Sequence, residues 1–68
     1  MTITVQVNGE SRAFDPPTAL GDIVACLTSS PSGVAAALNE TVVPRGQWPT
    51  TEVRDGDRVE VLTAVQGG

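Results

Sequence analysis

Three kinds of group in this sequence could do chemistry: the α-carboxylate of Gly68, the thiol of Cys26 and the paired carboxylates of Asp55 and Asp57. A carboxylate is a poor electrophile because its charge is shared over two oxygens. It becomes reactive only once it is joined to a good leaving group, as in an acyl phosphate. Gly67 and Gly68 carry no side chains, so a tail ending in them can thread a narrow enzyme cleft. Val65 and Gln66 then serve to position that tail rather than to react. Activation of the carboxylate requires magnesium and cationic groups around phosphates. The sequence holds no phosphate loop and no metal-ligand set, so a partner must supply them and no cofactor is expected on the chain itself. Cys26 has no histidine or lysine to activate it and reads as a half-buried structural thiol near Ala19. Asp55-Gly56-Asp57 reads as a turn, since a calcium site needs many more oxygen ligands. Arg45 with Trp48 reads as local packing, with a cation–π contact or a partner contact as further roles.

The composition narrows the class. Sixty-eight residues make one domain with a thin core, which leaves little room for an internal active site and argues against an enzyme acting alone. Eight acidic residues against four arginines give a net charge of −4. Arg12, Arg45, Arg54 and Arg58 are scattered, so no basic patch for nucleic acid is expected. A small acidic protein more readily meets a basic surface on a protein partner. One cysteine and no histidine exclude a zinc site, a disulfide framework and an iron–sulfur cluster. A lone cysteine without a signal peptide fits a reducing cytosol, and the longest apolar run is too short for a membrane span. Lysine is absent. Copies therefore cannot be chained through lysine side chains, which leaves only the Met1 amine for self-attachment.

The elements that must position the tail follow from patterning. Residues 2–7 alternate polar and apolar, as a half-buried strand does. Asn8-Gly9 then signals a two-residue type I′ hairpin, because both positions need positive φ. The partner strand, Glu10 to Phe14, places Val7 opposite Glu10, Val5 opposite Arg12 and Ile3 opposite Phe14. Charged residues on the core face predict an edge position or a slip by a bulge. Asp15-Pro16-Pro17 ends that strand. Thr18 is the expected N-cap of a helix from Ala19 to about Ser29, with Leu20, Ile23, Val24 and Leu27 on one face. Gly21 weakens this helix and Asp22 favours its start. Val34 to Leu38 reads as a strand paired across a turn with Val42-Val43, which Pro44 ends. Trp48-Pro49 is expected in a turn that closes over the core. Asp55-Gly56-Asp57 leads into a last strand from Arg58 to about Val65.

The expected core comprises Ile3, Val5, Val7, Phe14, Leu20, Ile23, Val24, Leu27, Leu38, Val42, Val59 and Val61. In the last strand Val59 and Val61 face it, which turns Glu60 and Leu62 outward, with the small Ala35 and Ala37 beside them as a candidate partner surface. The element order gives an α+β domain: a mixed sheet of four to five strands with one main helix packed on one face and the first and last strands adjacent at its centre. That is the β-grasp topology of ubiquitin-like folds, with residues 1–64 as the domain and 65–68 as a flexible tail ending in Gly-Gly.

The chain resembles the ThiS family of sulfur carriers of thiamine biosynthesis along its whole length. The residues carrying the resemblance are Val7-Asn8-Gly9-Glu10, Thr18, Asn39, Val43-Pro44-Arg45 with Trp48, Asp55-Gly56-Asp57-Arg58-Val59-Glu60 and Val65-Gln66-Gly67-Gly68. Terminal Gly-Gly is shared by every ubiquitin-like carrier; its combination with Val-Pro-Arg-x-x-Trp and Asp-Gly-Asp is more specific. Gly21 departs from the family, which commonly has a better helix former there. The resemblance implies that a ThiF-like enzyme, using ATP and magnesium, adenylates Gly68. Sulfur from a cysteine desulfurase or another persulfide donor then displaces AMP to leave a thiocarboxylate. A ThiG-like thiazole synthase takes that sulfur into the thiazole ring. On this reading the chain is a cytoplasmic cosubstrate, with neither nucleic acid nor membrane among its partners. Rival readings keep the carrier chemistry for molybdopterin or tRNA thiolation, make the chain a ubiquitin-like protein modifier, or leave it a plain interaction domain.

Overall fold

In the computed structural model of the chain, residues 1–28 and 33–63 are described. The first strand, β1 (Ile3–Val7), buries alternate residues, and Asn8 and Gly9 turn it back at positive φ into β2 (Glu10–Phe14). The register is the expected one, with Ile3 opposite Phe14, Val5 opposite Arg12 and Val7 opposite Glu10. β2 resolves its charge conflict by lying at the sheet edge, where Glu10 and Arg12 are exposed and sit 3.7 Å apart as an ion pair.

Thr18 does not cap the helix. It forms with Ala19 a two-residue strand, β3, and its hydroxyl donates to the Asp15 carbonyl. The helix, α1, runs Leu20–Leu27, shorter than expected. Its entry is held by the Asp22 carboxylate, which accepts from the Ala19 N–H at 3.1 Å, and by the Leu20 N–H, which donates to the Thr51 carbonyl. One local side chain and one tertiary contact thus satisfy amides at the helix start.

Strands β4 (Val34–Leu38) and β5 (Thr41–Val43) form a second hairpin around Asn39 and Glu40, both at positive φ. A 3-10 helix (Arg45–Thr50) follows and buries Trp48 over the core. Strand β6 (Glu52–Val53) pairs with β3 in a small second sheet that the sequence pattern did not disclose. The last strand, β7 (Arg58–Thr63), completes a five-stranded sheet of order β2-β1-β7-β4-β5. β7 is its central strand, parallel to β1 and antiparallel to β4. This mixed sheet with one main helix over one face is the ubiquitin-like β-grasp.

The core holds Ile3, Val5, Val7, Leu20, Ile23, Val24, Ala36, Trp48, Val53, Val59 and Val61, with Phe14, Leu27, Val34, Leu38 and Val43 packed against it. Val42 does not belong to it: this side chain is 71% exposed. The two-residue turn pairs Val43 with buried Ala36 and Val42 with Ala37, so strand alternation sends Val43 inward and Val42 outward. Among the described residues, no helix is long and apolar enough to cross a membrane.

Candidate functional site

The site is built on β7, because this strand leads toward Gly68. Residues 64–68, and with them Val65, Gln66, Gly67 and Gly68, lie outside the described residues. What the fold shows is how the strand before them is held and what surface flanks it.

The base of β7 is fixed by the Asp55-Gly56-Asp57 turn, and both carboxylates there are used structurally. Asp55 accepts from the Thr4 N–H at 2.8 Å. Asp57 accepts from the Arg54 N–H at 2.8 Å and from the Asn39 amide at 3.1 Å. Gly56, at φ 88°, donates its N–H to the Thr4 carbonyl. These bonds tie the start of β7 to the start of β1 and meet the bland reading of the two acids as turn formers.

Two asparagines then grip the strand itself, a role that the sequence analysis missed. Asn39 donates its N–H to the Arg58 carbonyl at 2.7 Å, and its side-chain oxygen accepts from the Arg58 N–H at 3.0 Å. Asn8 donates its N–H to the Val59 carbonyl at 2.9 Å. Its carboxamide reaches farther along the strand, accepting from the Val61 N–H at 2.8 Å and donating to the Val61 carbonyl at 3.2 Å. Both asparagines sit at the first position of a positive-φ turn, which Asn tolerates. The available signal was the choice of Asn: glycine or aspartate also fits such a turn, but only Asn pairs a donor with an acceptor.

The face of the sheet away from α1 carries the predicted partner residues. Leu62 is 69% exposed and lies opposite Ala35; Glu60 lies opposite Ala37, which is in turn opposite Val42. Small alanines on β4 between larger residues on β7 and β5 leave a shallow groove of about 240 Å³, with Glu40 and Glu60 among its lining residues. Val42 and Glu40 join the four residues named from sequence because the hairpin register turns them to this side. Across the rest of the outer face β1 and β2 present Thr4, Gln6, Ser11 and Ala13, so the apolar patch is confined to β7, β4 and β5.

Other sequence candidates fall elsewhere. Cys26 is exposed, not half-buried. The 3-10 helix packs against α1 at Gly21. Arg45 and Trp48 line a second groove of about 330 Å³ together with Gly21, Val24, Ala25 and Pro49. Trp48 is held there by its indole N–H, which donates to the Val43 carbonyl at 2.9 Å. Among the described residues no cluster of His, Cys, Asp and Glu could hold a metal ion.

Known proteins are similar to this chain in fold and sequence. The crystal structure of the thiamine biosynthesis protein ThiS from Geobacter metallireducens matches with a TM-score of 0.79 at 29% identity, covering 97% of this chain and 100% of that one. The sulfur carrier protein ThiS of Thermus thermophilus is 38% identical over 64 residues, 94% of this chain and 98% of that protein. The uncharacterized protein ycf40 of Porphyra purpurea is 32% identical over 66 residues, 97% of this chain and 93% of that protein. The sequence model of the ThiS family matches residues 5–68, through the Gly-Gly pair. The chain therefore belongs to the ThiS family.

Proposed function

We propose that this chain is a sulfur carrier of thiamine biosynthesis, a cosubstrate and not an enzyme, that works through the carboxylate of Gly68. The family match that runs to residue 68, through Gly67-Gly68, carries this reading. An oxygen of the Gly68 carboxylate attacks the α-phosphorus of ATP in a ThiF-like partner. Pyrophosphate leaves and an acyl-adenylate forms. The partner supplies magnesium and cations for the charge that develops on the phosphates. The terminal sulfur of a protein persulfide then attacks the acyl carbon and AMP departs. A thiol cleaves the resulting S–S bond, is itself oxidised to a disulfide, and leaves the thiocarboxylate on Gly68. A thiazole synthase takes the sulfur from there. Tethering the sulfur to a folded handle makes its delivery close to intramolecular and avoids free sulfide.

Partner docking belongs on the outer face of the sheet. Leu62 and Val42 offer apolar area, and Glu40 and Glu60 favour a partner whose rim is basic. Val65, Gln66 and Gly67 position the terminus in the cleft.

Intact mass of the protein from cells starved for thiamine tests the chemistry. Replacement of one oxygen by sulfur is expected, and deletion of Gly68 should abolish it. A free carboxylate alone during active thiazole synthesis would overturn the reading. Gly-Gly adducts on the lysines of other proteins would favour a protein modifier, and failure to complement a thiazole auxotroph would point to another sulfur pathway.

A further inference from the structure

The pairing of β1 with β7 is shorter than β7 requires. It runs through Gln6–Arg58 and Val7–Val59, after which β1 turns away at Asn8-Gly9. β7 continues to Thr63 with β4 on its other side only. In an antiparallel pair alternate residues point both backbone groups at the partner strand, and the residues between point both away. Val61 lies opposite Ala36 on β4 but directs its N–H and C=O to the other side, where no strand remains. The Asn8 carboxamide fills that place. It has the same donor and acceptor as a peptide group, and it meets both groups of Val61, fifty-three residues away in sequence.

We propose that Asn8 is a positioning residue: its side chain acts as the missing rung of β1, holds β7 in register as far as Val61, and so fixes the point from which the C-terminal residues reach a partner's active site. Gly68 is the seventh residue after Val61. Each residue released from the ladder adds about 3.5 Å of slack. It also adds one more pair of backbone dihedrals to be fixed when the terminus enters a cleft. A clamp two residues before the end of β7 therefore reduces the cost of presenting Gly68. It also holds the backbone next to Leu62, so the docking face and the tail share one anchor.

The turn and the clamp can be separated. Asn8→Gly keeps a residue suited to positive φ and removes the side chain. Asn8→Asp also suits the turn and can still accept from the Val61 N–H, but its carboxylate faces the Val61 carbonyl with no hydrogen to donate. The role rests on the carrier reading above, so two readouts are needed. The first is amide hydrogen exchange of the full chain. Exchange at Val61 should accelerate about tenfold in Asn8→Gly, which removes the acceptor of its N–H, and stay nearer the wild-type value in Asn8→Asp, which keeps that acceptor, with Val5 unchanged. The second is the kcat/KM for pyrophosphate release by the ThiF-like enzyme with ATP and magnesium. It should fall about tenfold in both variants and stay at the wild-type value in Val53→Ala, a core variant outside the β1–β7 pairing.

Unchanged protection at Val61 in Asn8→Gly would overturn the clamp. Wild-type kcat/KM in Asn8→Gly, or an equal loss in Val53→Ala, would overturn the positioning role. If the wild-type chain is itself not activated, the carrier reading falls and takes the positioning role with it, while exchange at Val61 still decides whether the rung exists.

Discussion

Trp48 shows how much one residue settles in a domain this small. Its ring is buried against α1, and its indole N–H is the donor that satisfies the Val43 carbonyl just before β5 ends at Pro44. A buried acceptor left without a donor costs about 1–3 kcal/mol. Trp48→Phe keeps an aromatic ring but loses that donor and some volume. It is expected to lower stability by about that amount, read as the midpoint of urea denaturation; an unchanged midpoint would show that the bond contributes nothing net. The burial of Trp48 was legible as a turn closing over the core, since a single tryptophan before a proline has few other places to go. The partner of its N–H was not, because it depends on where β5 ends in space. Cys26 failed for a related reason: helical periodicity gives a residue's angle from the apolar stripe, but not which flank of the helix a neighbouring segment covers.

At the scale of elements, α1 is the weak member and its weakness is local. Gly21 sits in its first turn, half-buried beside the 3-10 helix. A Cβ built there would meet Trp48 Cβ at 3.5 Å and Pro49 N at 3.7 Å, which are ordinary contacts. The glycine is therefore not demanded by packing. Gly21→Ala should stabilise the domain by about 0.5–1 kcal/mol, from helix propensity and a less flexible unfolded chain. Thermal denaturation checks this, and a loss of stability would mean that the 3-10 helix cannot accept even a methyl group. The first hairpin was the most legible element, because Asn8-Gly9 fixes both loop length and register; the second was legible as a strand pair but not in its register, which left Val42 on the wrong face. The two-residue strands β3 and β6 left no periodic signal; only their pairing with each other, thirty-five residues apart at Thr18 and Val53, makes them strands.

Over the whole molecule, the two faces of the sheet have separate tasks. The inner face is the core, with Val5 fully buried. The outer face is mostly polar over β1 and β2 and carries its apolar patch on β7, β4 and β5, where Leu62 and Val42 stand clear of the alanines between them and Glu40 and Glu60 flank them. Leu62→Asp tests this division. Folding stability should change by no more than about 0.5 kcal/mol, as for other exposed positions. Affinity for the ThiF-like partner, measured by calorimetry, should fall at least about tenfold if Leu62 is an anchor of the interface. A loss of stability without a loss of affinity would place Leu62 in the fold and not in the docking surface.

The sequence by itself determined the alternation of β1, the Asn8-Gly9 turn, the apolar face of the main helix and the Gly-Gly pair on which the carrier reading rests. Each of these is a local property, set by backbone sterics or by residue type, and needs no knowledge of distant neighbours. Tertiary structure decided the rest. It sent Val42 outward and Val43 inward, moved Thr18 from helix cap to strand, exposed Cys26, and turned Asn8 from a turn former into a partner of Val61. Those outcomes depend on which segments meet across the sheet. The amide of Asn8 can replace a strand only because β1 ends where β7 goes on.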